Sequence, residues 1–162
     1  MKFDKRIEVP LANKNGESLS LLRKISQEQI SKDNSKVSGV YYLFSGDELV
    51  GKFDAFILNT RGGNEVELEC FSDPVYRGRG NMNVSMPTVL EDIFQGHAFD
   101  GYNTRPGVIS DIDTVSLAIA EDNLASQKIA MNNGFKQNKV TEAYEMTKNE
   151  FLELKSGKVK DK

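Results

Sequence analysis

The chain has 162 residues, 38% of them hydrophobic and 28% charged, with a formal net charge of −3. That is one domain of ordinary size with enough apolar mass for a core; it excludes a disordered chain and gives no basic face for nucleic acid. The lone Cys70 cannot close an internal disulfide, and no apolar run nears the roughly 18 residues of a membrane span, so a cytoplasmic protein is expected. The charged start Met1-Lys2-Phe3-Asp4 is unlike a signal peptide. Residues 1–154 are expected to form a single domain, with the basic run Lys155 to Lys162 as a frayed tail.

Phe3 to Val9 reads as a strand closed by Pro10. After a turn at Asn13 to Gly16, the segment Ser18 to Lys32 carries Leu19, Leu22, Ile25 and Ile30 at spacings that predict one or two short amphipathic helices. Val40 to Phe44 and Leu49 to Leu58 flank the turn Ser45-Gly46-Asp47 as a hairpin, and Arg61 to Asn64 makes the next turn. Glu65 to Ser72 alternates: Val66, Leu68 and Cys70 lie on one face, Glu67, Glu69 and Phe71 on the other. A helix follows through Met86, Val89, Leu90, Ile93 and Phe94, with Gly96 at its C-terminal end. Pro87 inside it implies a kink or a later start. The polar stretch His97 to Val108 is a long loop. Thr114 to Ala120 is a strand, Asn123 to Asn133 a helix stopped by Gly134, and Phe135 to Val140 with Ala143 to Lys148 a last strand pair. The order β, α, three-stranded meander, α, β, α, β describes an α/β domain, a mixed sheet flanked by helices.

Arg77-Gly78-Arg79-Gly80 falls where a strand ends and a helix begins. Two glycines allow a tight turn that aims several N–H groups into one concavity, and the first turn of the helix adds unpaired donors and partial positive charge. Arg77 and Arg79 would add full charges, so the place suits a pyrophosphate, although a plain surface turn is the alternative. No Gly-Lys-Ser/Thr follows and no third glycine sits at the dinucleotide spacing, which excludes the two commonest nucleotide-binding motifs.

The run Arg77-Gly78-Arg79-Gly80-Asn81-Met82 resembles the Gln/Arg-x-x-Gly-x-Gly/Ala signature of the GNAT N-acetyltransferases, matching at Arg77 and Gly80, with Met82 in place of the small residue. Leu117 to Ser126, with its Asn123-Leu124-Ala125-Ser126 turn, and Gly134-Phe135 after it, is similar to that family's fifth strand and following helix, in the flavour of the RimJ/RimL enzymes that act on protein N-termini. The bland reading of Asn123 and Gly134 as helix caps is compatible with this. The likeness covers roughly Val66 to Phe135; the first 40 residues match only in layout.

The resemblance implies a mixed, mainly antiparallel sheet with helices on both faces, and acetyl-CoA lying between splayed fourth and fifth strands. It also implies an amine acceptor, no metal, and transfer by direct attack. Cofactor contacts are then expected at Phe71, Ser72, Arg77, Gly78, Arg79, Gly80, Asn81, Met82, Asn123 and Ser126, with a main-chain N–H of Phe71 or Ser72 polarising the thioester carbonyl. A side chain as large as Met82 is expected to crowd the pyrophosphate. Glu69, and after it Glu67, are expected as the base that deprotonates the amine; the alternative is two solvated carboxylates on an open sheet face. The position of the family's thiolate-protonating tyrosine is Ala130 here, and Tyr144 is a weak substitute. Cys70 is expected to be a buried structural thiol, and the single His97 excludes a multi-histidine metal site. A CoA-binding module without catalysis, or a domain without cofactor, are the rival readings. The acceptor's identity stays open, because acceptor pockets in such folds draw on the first helices, the hairpin loop and the final strands, the parts that match least; the oligomeric state, homodimer included, is open as well.

Overall fold

The computed structural model describes residues 5–31, 34–57, 65–98 and 112–157. The elements are β1 (Lys5–Glu8), β2 (Leu19–Ser31), β3 (Asn34–Ser45), β4 (Glu48–Ile57), β5 (Glu65–Ser72), α1 (Asn81–Phe94), β6 (Thr114–Leu117), α2 (Leu124–Asn132), β7 (Lys136–Gln137), β8 (Tyr144–Thr147) and α3 (Lys148–Ser156). All eight strands form one sheet in the order β1-β2-β3-β4-β5-β6-β8-β7. Every neighbouring pair is antiparallel except β5 with β6. The expected mixed, mainly antiparallel sheet with flanking helices is therefore present. Among the described residues, no helix is long and apolar enough to cross a membrane.

The largest correction concerns the segment Ser18 to Lys32, which is a strand and not a helix. Leu19, Leu21, Arg23 and Ile25 are buried at every second position, the period of a strand with one covered face. Leu22, counted at helical spacing in the sequence, lies on the opposite face of the same strand and pairs with Tyr42. The ladder of β2 with β3 runs from Leu19↔Ser45 to Ser31↔Asn34, and long-range pairing of this extent overrides a weak local helical pattern.

The end of the chain differs too. The expected strand at Phe135 to Val140 shrinks to Lys136–Gln137, Thr114 to Ala120 stops at Leu117, and the last strand stops at Thr147. Thr147 caps α3: its Oγ1 accepts from Glu150 N at 3.1 Å while Glu150 Oε1 accepts from Thr147 N at 2.9 Å. That reciprocal capping box is legible as Thr-x-x-Glu, yet the sequence reading passed over it. Leu58, the Arg61 to Asn64 turn and most of the His97 to Val108 loop lie outside the described residues.

Helix α1 keeps Pro87 inside its 14 residues and lays Met86, Val89, Leu90 and Ile93 on the core that includes Tyr41, Leu43, Phe53, Val66 and Leu68. One buried ionic knot ties it to the sheet. Asp92 Oδ2 accepts from Arg23 Nη1 at 2.6 Å and from the Tyr41 hydroxyl at 2.7 Å. Burial, and then the Asp92 carboxylate, push the Tyr41 phenol well above its ordinary pKa, so the hydroxyl stays a donor. At its far end α1 stacks Phe94 on Phe151 of α3, ring centroids 5.3 Å apart.

Candidate active site in a cleft between parted strands

Strands β5 and β6 pair only from Glu65↔Thr114 to Glu67↔Ser116. Beyond that point they part, and Leu68 to Ser72 face Leu117 to Ala120 across a cleft of about 660 Å³. Met82 and Met86 of α1 and Ile129 of α2 complete an apolar middle, while Lys14, Arg77 and Lys128 line it as well.

The sheet register decides which backbone groups of β5 reach this cleft. Asp73 N–H donates to Val50 O at 3.0 Å, and pairing in an antiparallel ladder alternates. Phe71, Glu69 and Glu67 therefore turn their N–H and C=O towards β4, and Leu68, Cys70 and Ser72 turn theirs to the β6 side; the last parallel pair takes the Leu68 N–H, which leaves those of Cys70 and Ser72 on the cleft edge. Of the two donors expected for a thioester carbonyl, only Ser72 has its N–H on the cleft edge, with Cys70 beside it. Phe71 lines the cleft through its ring, over which the Lys52 ammonium sits 4.9 Å from the centroid.

At the opposite end lies the glycine turn. Gly78 and Gly80 have φ of +84° and +76°, the left-handed region where a side chain is strained. Gly80 is the N-cap of α1 and offers no side chain to its first turn. Among the described residues, the N–H groups of Gly78, Gly80, Asn81, Met82 and Asn83 have no acceptor. Unpaired donors at the start of a helix are what an anion needs.

The expected cofactor residues divide at this turn. Arg77, Gly78, Gly80, Asn81 and Met82 all line the cleft. Arg79 is not part of the lining; its Nη1 pairs with Glu17 Oε1 at 3.2 Å and its guanidinium stacks 5.2 Å from the Tyr76 ring centroid. A hydrogen bond from Asn13, and behind it the Arg79 charge, hold the Glu17 carboxyl below its ordinary pKa. The Asn81 side chain is buried, accepting from Asn13 Nδ2 at 2.8 Å, so only its backbone is left for a ligand. The Met82 thioether turns under β4, where a Cβ on Gly51 would come within 2.9 Å of its sulfur. Glycine at position 51 thus makes room for the side chain that was expected to crowd a pyrophosphate.

Asn123 and Ser126 line the far wall, and Asn123 also caps α2 by accepting from Ser126 N at 3.2 Å. Glu69 lines the cleft and is exposed; Glu67 is not part of the lining, since it sits where β5 and β6 are still paired. Cys70 departs from expectation, because parting of the strands opens its surface to the cleft instead of burying it with Val66 and Leu68. Protein crowded around the sulfur, then the Glu69 and Asp54 carboxylates, still push its thiol up to about 12, which leaves it a poor nucleophile at neutral pH. Ala130 is fully buried, and Tyr144 is buried opposite Leu117 on β8. Among the described residues no group of three or more histidine, cysteine, aspartate or glutamate side chains is placed to hold a metal.

Among the lining residues that were not expected at the site are three polar ones, Lys14, Lys128 and Asn132. Lys128 and Asn132 follow from the helix that was expected, one and two turns past its cap. Lys14 had no local signal at all.

No known-family profile and no curated protein matches the sequence. Solved structures do match. An aminoglycoside acetyltransferase, AAC(6')-Ib in complex with coenzyme A, is 13% identical over 73% of this chain and 70% of that one, with a TM-score of 0.56. The spermidine N-acetyltransferase SpeG from Vibrio cholerae is 12% identical over 76% of this chain and 71% of its own, TM-score 0.56. RimJ from Mycobacterium smegmatis, in complex with CoA-disulfide, is 11% identical over 76% of this chain and 60% of its own, TM-score 0.52. The chain has the fold of the GNAT acyl-CoA N-acyltransferases.

Proposed function

We propose that the chain is an acetyl-CoA-dependent N-acetyltransferase acting on an amine by direct attack. The observation that carries this reading is the single cleft that joins an uncapped helix start to a pair of strands parted after Glu67↔Ser116. The residues present fit the group. First-turn N–H groups with Arg77 suit the diphosphate, the apolar middle suits the pantetheine chain, and the free edge of β5 offers Cys70 and Ser72, with the Leu68 carbonyl, for main-chain pairing, as a ligand strand would require. The likeness to structures solved with coenzyme A supports the same occupant.

Ser72 N–H would donate to the thioester oxygen as negative charge grows there. Glu69, exposed at the cleft wall, would take the proton from the incoming ammonium, directly or through a water, so that the neutral amine attacks. Glu67 stands one strand repeat further from the parted edge and ranks behind it. An unassisted thiolate is a tolerable leaving group, since a thiol's ordinary pKa is about 8.5.

Acetyl-CoA titration followed by thiol release with an amine panel tests the reading. Glu69→Gln is expected to slow turnover roughly 100-fold at pH 6.5, with the deficit shrinking towards pH 9 as the amine deprotonates unaided, and with CoA affinity unchanged. Equal rates at every pH would remove Glu69 from the mechanism. The burial of Ala130 where a cleft-facing tyrosine is absent favours one second reading, a CoA-binding module without catalysis. Tight binding with no turnover on any peptide, polyamine or aminoglycoside would select it.

A further inference from the structure

The β1–β2 connection is fastened to the glycine turn by contacts that join residues 68 positions apart in sequence. Asn13 is buried and fully used: Nδ2 donates to Asn81 Oδ1 and to Glu17 Oε1, both at 2.8 Å, while Oδ1 accepts from Asn15 N at 3.0 Å and Glu17 N at 2.9 Å. Lys14 N–H donates to the Arg79 carbonyl at 2.7 Å. Glu17 pairs with the Arg79 guanidinium. A turn held this way has its next side chain delivered to a fixed place.

That side chain is Lys14. Its stem runs along Gly80, where an added Cβ would lie 3.3 Å from Lys14 Cγ and 3.5 Å from Cε, and the residue lines the cleft beside the uncapped start of α1. Among the described residues Lys14 forms no ion pair, whereas Arg79, the cation that the sequence places at this turn, is engaged by Glu17.

We infer that Lys14 is a phosphate ligand of the bound thioester nucleotide, supplying from the β1–β2 connection the charge that Arg79 does not. This rests on the acetyl-CoA reading of the cleft. The chemistry is a mobile ammonium against a phosphate oxygen, and either the diphosphate or the 3′-phosphate of CoA offers it.

The test is calorimetric titration of CoA and of dephospho-CoA into wild type, Lys14→Gln and Lys14→Arg at low and high salt. Lys14→Gln is expected to bind CoA about tenfold more weakly at low salt, with the gap closing as salt rises, and Lys14→Arg to keep most of the affinity. Ligand-free melting temperatures should be alike, because Lys14 is exposed. A gap that persists with dephospho-CoA assigns the ammonium to the diphosphate; a gap that disappears assigns it to the 3′-phosphate. Lys14→Gln binding CoA as wild type does, or Gln and Arg variants weakened equally, would overturn the inference and leave the cleft reading standing. Wild type failing to bind CoA at all would overturn both.

Discussion

The two halves of the sheet treat their backbones in opposite ways. From β1 to β4 the antiparallel ladders run the length of the strands, interrupted only by register shifts at Gln29/Ser31 and Leu43/Phe44 among the described residues, and even the buried charge of Arg23 is met inside the protein by Asp92. Between β5 and β6 the pairing stops after Glu67↔Ser116, and the cleft edge of β5 and the start of α1 keep donors that no described residue satisfies. Buried or half-buried polar groups are rarely left so unless a ligand or solvent takes them. The closed half supplies stability and the parted half supplies a site. Substitutions should separate the two.

The largest expected effect falls on the closed half. Asp92→Ala leaves the buried Arg23 charge without its carboxylate and should cost about 3–5 kcal/mol in urea unfolding, while CoA affinity of the folded fraction is retained. A loss below about 1 kcal/mol would mean that the knot contributes little to the fold. Next comes the parted half. Gly80→Val forces a branched side chain into the left-handed region and against the Lys14 stem, so it should abolish detectable CoA binding at a stability cost of about 1–2 kcal/mol. Gly78→Ala is the sharpening control, since its φ is equally positive but an added Cβ meets nothing within 4 Å. It should carry the backbone strain with a much smaller loss of affinity. Equal losses at the two glycines would trace the effect to strain alone.

What the sequence disclosed follows the same division. The glycine turn, the Asn123 cap and the β5 alternation are local patterns, and each lies in the structure where its residues were read. The helical reading of Ser18 to Lys32 failed because Leu19 and Leu22 fit a helical spacing, while Leu19, Leu21 and Ile25 also keep the strand's period of two over so short a run. Pairing with β3, invisible locally, decided it. The reading of Cys70 failed for a related reason. Alternation places it on the apolar face correctly, but whether that face is covered depends on where β6 leaves β5. Lys14 and Asn13 were legible only as a turn, their role set by contacts across most of the chain's first half.

The smallest predicted effect lies at the seam where the halves meet. Glu65 opens β5 opposite Thr114, and burial, then the carboxylates of Glu145, Asp113 and Glu67, push its pKa up. A carboxyl whose folded pKa is raised binds its proton more readily when folded, so its charge destabilises the fold once pH passes that raised value. Below the ordinary 4.5 both states are protonated and the penalty is gone. Glu65→Gln should therefore raise the melting temperature slightly at pH 7 and leave it unchanged at pH 4 or below. A variant less stable than wild type at pH 7 would mean that the Glu65 carboxylate is held by a favourable partner that outweighs burial and the neighbouring carboxylates.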